Sequence, residues 1–143
     1  NDGKYGIGFD ENTMSLSLLR ATIRPDVTSD MGHHNFSYMI YPHENGAVEA
    51  GVNKLAFQFN EQLVKSDVSY NGDTFEPLYL QAMKDSEDGS MTVIRLSEQD
   101  GKRGKIKLSK SVKLLDMLEN VIGEAVDTLE YKPFEIITIG IQK

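Results

Sequence analysis

Two runs near the amino end alternate apolar and polar residues with the period of a β-strand. The first run, residues 13–20, places four side chains on one face: Met14, Leu16, Leu18 and Arg20. The second, residues 34–41, does the same with His34, Phe36, Tyr38 and Ile40 before Pro42 stops the pattern. We expect the two runs to pair as an antiparallel hairpin.

The pattern then changes to helical spacing and returns to strands. Apolar residues between Gly46 and Val64 recur as on one face of a short helix. After a turn cluster at residues 85–90, the runs MTVIRLSE, GKIKLS and TLEYKPFEIITIGIQ predict the strands of a small antiparallel sandwich. Residues 114–125 also fit helical spacing, so periodicity leaves helix and strand open there.

Charged residues gather at the tip of the predicted hairpin. Arg20 ends the first strand where His34 begins the second, and Asp26 and Asp30 lie in the connector. A guanidinium fork, a histidine ring and carboxylates on one rim suit a ligand rich in hydroxyl groups. The alternative is a salt-bridged loop in which Asp30 holds Arg20 and no ligand binds, and the strands alone favour this alternative.

Composition narrows the classes of function. A net charge of -7 in 143 residues repels phosphate backbones, so we predict no nucleic-acid binding. No apolar run is long enough to span a bilayer, and we predict no membrane association. The absence of cysteine excludes disulfides and suits the cytoplasm, which we take as the location. The three histidines lack the spacing of metal ligands, so we predict no metal site in this chain.

Several strings resemble one known family. SLSLLRA followed by PDVTSDMGHHNFSYMIYPH closely resembles the carboxyl-terminal region of glycoside hydrolase family 38, the α-mannosidases, in the branch with cytosolic, vacuolar and many bacterial enzymes. NDGKYGI, MTVIRLSEQDGKRGKIKL and YKPFEIITIGI are similar to further stretches of that region. The resemblance implies a mostly β fold, an antiparallel β-sandwich with one short helix. Residues 1–90 would end a large mannosidase-type supersandwich, and residues 91–143 would form a small carboxyl-terminal sandwich with strand and turn at 114–125.

The resemblance also implies a function. Family members carry zinc and catalytic aspartates in an amino-terminal α/β barrel, and none of that barrel is present here. The chain would therefore have no catalytic residue and no cofactor, and it would be inactive alone, with zinc in the missing catalytic domain of a parent enzyme. It would buttress the barrel of the same parent chain, meet mannosides through the parent, and self-associate through the truncated sandwich. Arg20 matches an arginine that reaches the sugar site, and Asp26, Asp30 and His34 occupy the other polar positions of the motif.

Two alternatives remain open. The chain could be a stand-alone carbohydrate-binding β-sandwich, in which the rim residues and Tyr5, Tyr38 or Tyr41 hold a glycan. Stacking on sugars needs exposed aromatic rings, yet the chain has no tryptophan and its strand aromatics alternate as core residues do. The other alternative is a purely structural sandwich whose charged loop has no ligand.

Overall fold

The computed structural model describes residues 6–61 and 67–143, which fall into two compact units. The first unit spans Asn1–Leu63 and the second spans Val64–Lys143. Each unit has its own secondary structure. No described helix is long and apolar enough to cross a membrane.

The first unit contains one hairpin and one helix. Strands β1 (Ile7–Asp10) and β2 (Thr13–Leu16) pair antiparallel, and helix α1 spans Val52–Asn60. The helix follows Gly51, whose φ of 67° lies in the left-handed region that glycine adopts readily. The short helix predicted between residues 46 and 64 is thus confirmed, while residues 62–66 and Tyr5 lie outside the described residues.

The predicted pairing of residues 13–20 with residues 34–41 is wrong. Strand β2 ends at Leu16 and pairs with β1, and residues 34–41 contain no strand. The observed hairpin closes through the two-residue turn Glu11–Asn12. Pairing with residues 34–41 would have required closing the longer connector 21–33, which costs more chain entropy.

The second unit is a five-stranded antiparallel sheet. Its strands are β3 (Tyr79–Asp85), β4 (Met91–Ser97), β5 (Gly104–Leu115), β6 (Val126–Tyr131) and β7 (Ile136–Gln142). Their order across the sheet is β3-β4-β7-β5-β6. The mostly β, antiparallel fold class is confirmed.

Strand β5 pairs with two neighbouring strands, β6 and β7. Residues 104–107 of β5 pair with β6, whereas residues 113–115 pair with β7, and the register shifts between these two segments. A register shift of this kind is a β-bulge or a related irregularity in the strand pairing. Four side chains at the centre are almost completely buried: Ile94, Leu96, Leu129 and Ile139. Each such burial stabilises the fold by about 1.5–3 kcal/mol.

Two predictions from the sequence can be compared with this sheet. Residues 114–125 form the end of β5 and a turn that is closed by a bridge between Leu115 and Val121, so the strand and turn implied by the resemblance are confirmed. The predicted division at residue 90 lies in the turn between the paired strands β3 and β4, and so differs from the observed division after residue 63. The assignment of the two parts to a large and a small mannosidase sandwich stays a prediction.

Candidate functional site

Asp30 is the centre of the charged loop in the first unit. Its Oδ2 accepts hydrogen bonds from the backbone N–H of Arg20 at 3.1 Å and of Ala21 at 2.8 Å. The Nε2 atom of His34 lies 3.1 Å from the backbone oxygen of Asp30. A carbonyl oxygen only accepts, so Nε2 carries the proton and donates it there. Asp30 therefore brings Arg20 and His34 together without the strand pairing that the sequence predicted.

Asp26 has a different task from the other three predicted site residues. Its Oδ1 accepts hydrogen bonds from the backbone N–H of Thr28 at 2.8 Å and from the Thr28 hydroxyl at 2.7 Å. These two bonds hold the pKa of Asp26 below its ordinary value. The hydroxyls of Thr22 and Ser29 lie 3.0 Å apart and link the two sides of the same connector. Asp26 thus shapes the loop locally.

Three of the predicted site residues in the charged loop differ in their exposure to solvent. Arg20 is exposed, whereas Asp30 and His34 are half-buried. The ring of His34 stacks on Phe36 with centroids 5.9 Å apart and an angle of 10° between planes, which fixes the orientation of the imidazole. Such an arrangement can offer a cation and an oriented ring to a hydroxyl-rich ligand, and the sugar-binding role of the four residues stays a prediction.

Glu98 is a functional candidate that the sequence reasoning missed. It is only 4% exposed, and its carboxylate accepts four backbone hydrogen bonds. Oε1 accepts from Asp100 at 2.9 Å and Lys102 at 3.0 Å, and Oε2 accepts from Gly101 at 3.0 Å and Phe134 at 2.9 Å. The carboxylate therefore ties the β4–β5 turn to the β6–β7 turn. Its signal in the sequence is an acidic residue two positions before Asp100–Gly101, a pattern that also describes an ordinary solvated turn.

The family model that matches this chain covers part of the second unit. Residues 77–139, which contain β3 to β6 and most of β7, match the model described as the glycosyl hydrolases family 38 C-terminal beta sandwich domain. Residues 77–139 belong to that family. The resemblance to glycoside hydrolase family 38 is thereby confirmed, and the bacterial branch stays a prediction.

The relatives that this chain matches are α-mannosidases by name. Over 96% of its length the chain is 31% identical to alpha-mannosidase G of Dictyostelium discoideum and 32% identical to an alpha-mannosidase of Saccharomyces cerevisiae. A 64-residue segment, 45% of the chain, is 47% identical to alpha-mannosidase 2C1 of Mus musculus. The chain spans only 15%, 14% and 6% of these three relatives, respectively. No solved structure matches it.

The first unit of the chain has an apolar cleft at its surface. None of the described residues 6–61 is buried. A cleft of about 270 Å³ is lined by Ile7, Met14, Leu16, Leu18, Tyr38, Met39 and Ile40. Contiguous apolar surface of this kind marks interaction sites in proteins.

Two ion pairs join β5 and β6 in the second unit. Lys105 and Lys107 each lie 2.5 Å from a carboxylate across the β5–β6 pair, that of Glu130 and Asp127 respectively. Among residues 6–61 and 67–143, no group of three or more histidine, cysteine, aspartate or glutamate residues could hold a metal ion.

Proposed function

We propose that this chain is a non-catalytic carboxyl-terminal domain of a zinc-dependent retaining α-mannosidase, where it buttresses the catalytic barrel and contributes rim residues to the sugar site. The names of the relatives support the enzyme class, and the small share of each relative that the chain spans supports the role of one domain in a larger polypeptide. In this proposal the zinc and the catalytic aspartates belong to the barrel, which lies outside this chain.

The contacts of Asp30 carry the proposal for the rim. One carboxylate oxygen of Asp30 fixes the backbone at Arg20 and Ala21, so the exposed Arg20 side chain starts from a defined position. Because His34 donates from Nε2 to the Asp30 carbonyl, its Nδ1 is an acceptor when the ring is neutral. Together they offer a sugar a charged donor and a neutral acceptor, which is a suitable pair for two hydroxyl groups.

Substitution of Arg20 in the full-length enzyme tests the rim. We expect Arg20→Ala to lower kcat/KM by roughly ten- to a hundredfold, since a charge-assisted hydrogen bond of about 1.5–3 kcal/mol would be lost from the transition state. Arg20→Lys should recover only part of the activity because an ammonium cannot reproduce the planar fork. The control is Arg103→Ala, a cation of the second unit, which should leave the kinetics unchanged. A folded Arg20→Ala enzyme with full efficiency would refute the rim proposal.

The isolated chain tests its non-catalytic character. We expect the pure 143-residue protein to release no product from an aryl α-mannoside and to bind no stoichiometric zinc. Measurable turnover, or zinc at full occupancy in elemental analysis, would contradict the proposal.

A second candidate function has one observation in its favour. Tyr38 is 61% exposed and Tyr41 is also exposed, although the alternation of the sequence favoured core positions for both. Exposed aromatic rings can stack on sugars, as a stand-alone carbohydrate-binding module requires. Calorimetric titration of the isolated chain with mannose and a mannobiose separates the candidates, because only a stand-alone module should release heat that Tyr38→Ala abolishes.

We also propose a cytoplasmic location for the parent enzyme. The support is the absence of cysteine from 143 residues, since extracellular domains commonly use disulfides. Imaging of a fluorescent fusion of the full-length enzyme tests this, and accumulation in a vesicular or vacuolar compartment would count against it.

A further inference from the structure

Phe134 has an unusual backbone and an unusual position for a large apolar residue. It lies in the turn between β6 and β7 with a φ of 59°, in the left-handed region that bulky side chains rarely adopt. Its side chain lies outside the core, because Phe134 is 72% exposed. A strained conformation persists only when the surrounding structure holds it, and such positions gather where proteins bind and react.

The surrounding contacts hold Phe134 from two sides. The backbone N–H of Phe134 donates to Oε2 of the buried Glu98 at 2.9 Å. The same oxygen accepts the N–H of Gly101, and the Phe134 ring lies so close over Gly101 that a Cβ added there would be 3.1 Å from Cζ of the ring. The ring is therefore fixed against the β4–β5 turn while most of its surface faces outward.

A second apolar side chain extends the surface around the ring. Ile136 is 56% exposed and pairs with Ser97 at the end of β4, directly before Glu98. Phe134 and Ile136, two positions apart in the chain and both exposed, are together called the apolar knob, at the end of the sheet where Glu98 ties the two turns. A preorganised aromatic side chain loses little conformational freedom on binding, which is a property of interface hot spots.

We propose that this apolar knob anchors the domain to the amino-terminal remainder of the α-mannosidase polypeptide. The inference rests on the proposed function, and it goes further by assigning a contact to the end of the sheet formed by the β4–β5 and β6–β7 turns. The relatives align with 96% of this chain but have only 15% and 14% of their own length covered, so a large polypeptide adjoins this domain in them. A second copy of the chain is the alternative occupant, and the cross-linking test distinguishes it from the remainder of the polypeptide.

Photo-cross-linking in the full-length polypeptide tests the proposal. The residue at position 134 is replaced by photoreactive p-benzoylphenylalanine, the protein is irradiated, and cross-linked peptides are identified by mass spectrometry. We expect cross-links to peptides that precede this chain in the polypeptide. The matched control places the same group at Leu118, which is 83% exposed in the turn after β5, and should give roughly tenfold fewer such cross-links. Cross-links confined to a second copy or to this chain itself would overturn the inference.

A glycine variant keeps the test decisive if the photoreactive protein does not fold. Glycine adopts a positive φ without strain, so Phe134→Gly should leave the thermal midpoint of the isolated chain unchanged or raised. In the full-length polypeptide the same change should speed limited proteolysis between this domain and the remainder by roughly tenfold, if the ring is a hot spot. An unchanged proteolysis rate would overturn the anchor.

The anchor and the proposed function can fail separately, because mannosidase activity is measured in its own assay. An active enzyme without the cross-link refutes the anchor alone. An inactive polypeptide with the cross-link refutes the proposed function alone.

Discussion

Glu98→Gln is the substitution that most directly tests how the family 38 domain is held together. The change keeps the size and shape of the side chain but replaces one carboxylate oxygen with an NH₂ group. In the wild type each oxygen accepts two backbone N–H groups, from Asp100 and Lys102 on one side and Gly101 and Phe134 on the other. Glutamine can accept from one pair only, and its NH₂ group points at the donors of the other pair.

The expected loss follows from the fate of the four donors. Two charge-assisted hydrogen bonds become neutral ones, and two backbone donors lose their acceptor next to an almost completely buried side chain. An unsatisfied buried donor costs about 1–3 kcal/mol, and local relaxation of the turns returns part of that. We expect the free energy of unfolding to fall by about 3 kcal/mol at pH 7, a large change for a unit of this size, whose total stability is about 4–12 kcal/mol.

The pH dependence gives a second, independent signature. Burial alone would raise the pKa of Glu98, but the backbone hydrogen bonds from Phe134, Lys102, Asp100 and Gly101 outweigh it, and the pKa lies below its ordinary value. A lowered folded pKa stabilises the fold above the unfolded pKa of about 4.3, and this contribution is lost as the pH falls through the folded pKa. The difference between wild type and Glu98→Gln should therefore be constant near pH 7 and shrink on acidification below about pH 4.

Urea unfolding of the whole chain provides the assay. The chain has no tryptophan, so far-UV circular dichroism is the suitable probe. Glu87→Gln is the matched control, because Glu87 is exposed in the β3–β4 turn and should leave the transition unchanged. A Glu98→Gln midpoint equal to that of the wild type, or a difference that stays constant down to pH 3, would refute this account of the two turns.

Two further predictions concern other parts of the chain. The Ser86 hydroxyl and the Ser90 backbone and hydroxyl lower the pKa of Asp88 to about 2, so Asp88→Asn should lower the thermal midpoint near neutral pH. That effect should disappear as the pH falls toward 2, and an effect that persists there would contradict it. The apolar cleft of the first unit should make the isolated chain self-associate, and Ile40→Lys should shift it toward monomer in light scattering. A wild-type monomer at all concentrations would contradict this.

The strands of the second unit could be predicted because their sequence signals are local. The runs that became β4 and β7 are rich in β-branched residues, and the Asp100–Gly101 dipeptide marks the turn after β4. At residues 114–125 periodicity was undecided, since the apolar spacing also fits a helix. The structure ends β5 at Leu115 because Asp116 closes a tight turn, accepting the backbone N–H of Leu118 and of Asn120.

The charged loop of the first unit shows what the alternation of apolar and polar residues cannot predict. Alternation indicated that residues 13–20 tend to form a strand, and it carried no information on which segment would pair with them. The nearby strand β1 became the partner of β2. The contact of Asp30 with both Arg20 and His34 was nevertheless foreseeable, because all three residues belong to one short charged segment. The role of Glu98 could not be predicted, since its carboxylate oxygens accept hydrogen bonds from two turns that are distant in sequence.

Asp30 and Glu98 use one physical device at two places. Each is an acidic side chain whose oxygens accept backbone N–H groups, and each thereby fixes a loop that carries an exposed side chain, Arg20 in the first unit and Phe134 in the second. Each oxygen of Glu98 accepts two backbone N–H groups, so this carboxylate is poorly suited to act as an acid or base. It is well suited to hold a neighbouring side chain in place before a partner arrives, which lowers the entropy that binding must overcome. Both carboxylates therefore act on the backbone of a loop, and each of these loops carries an exposed side chain.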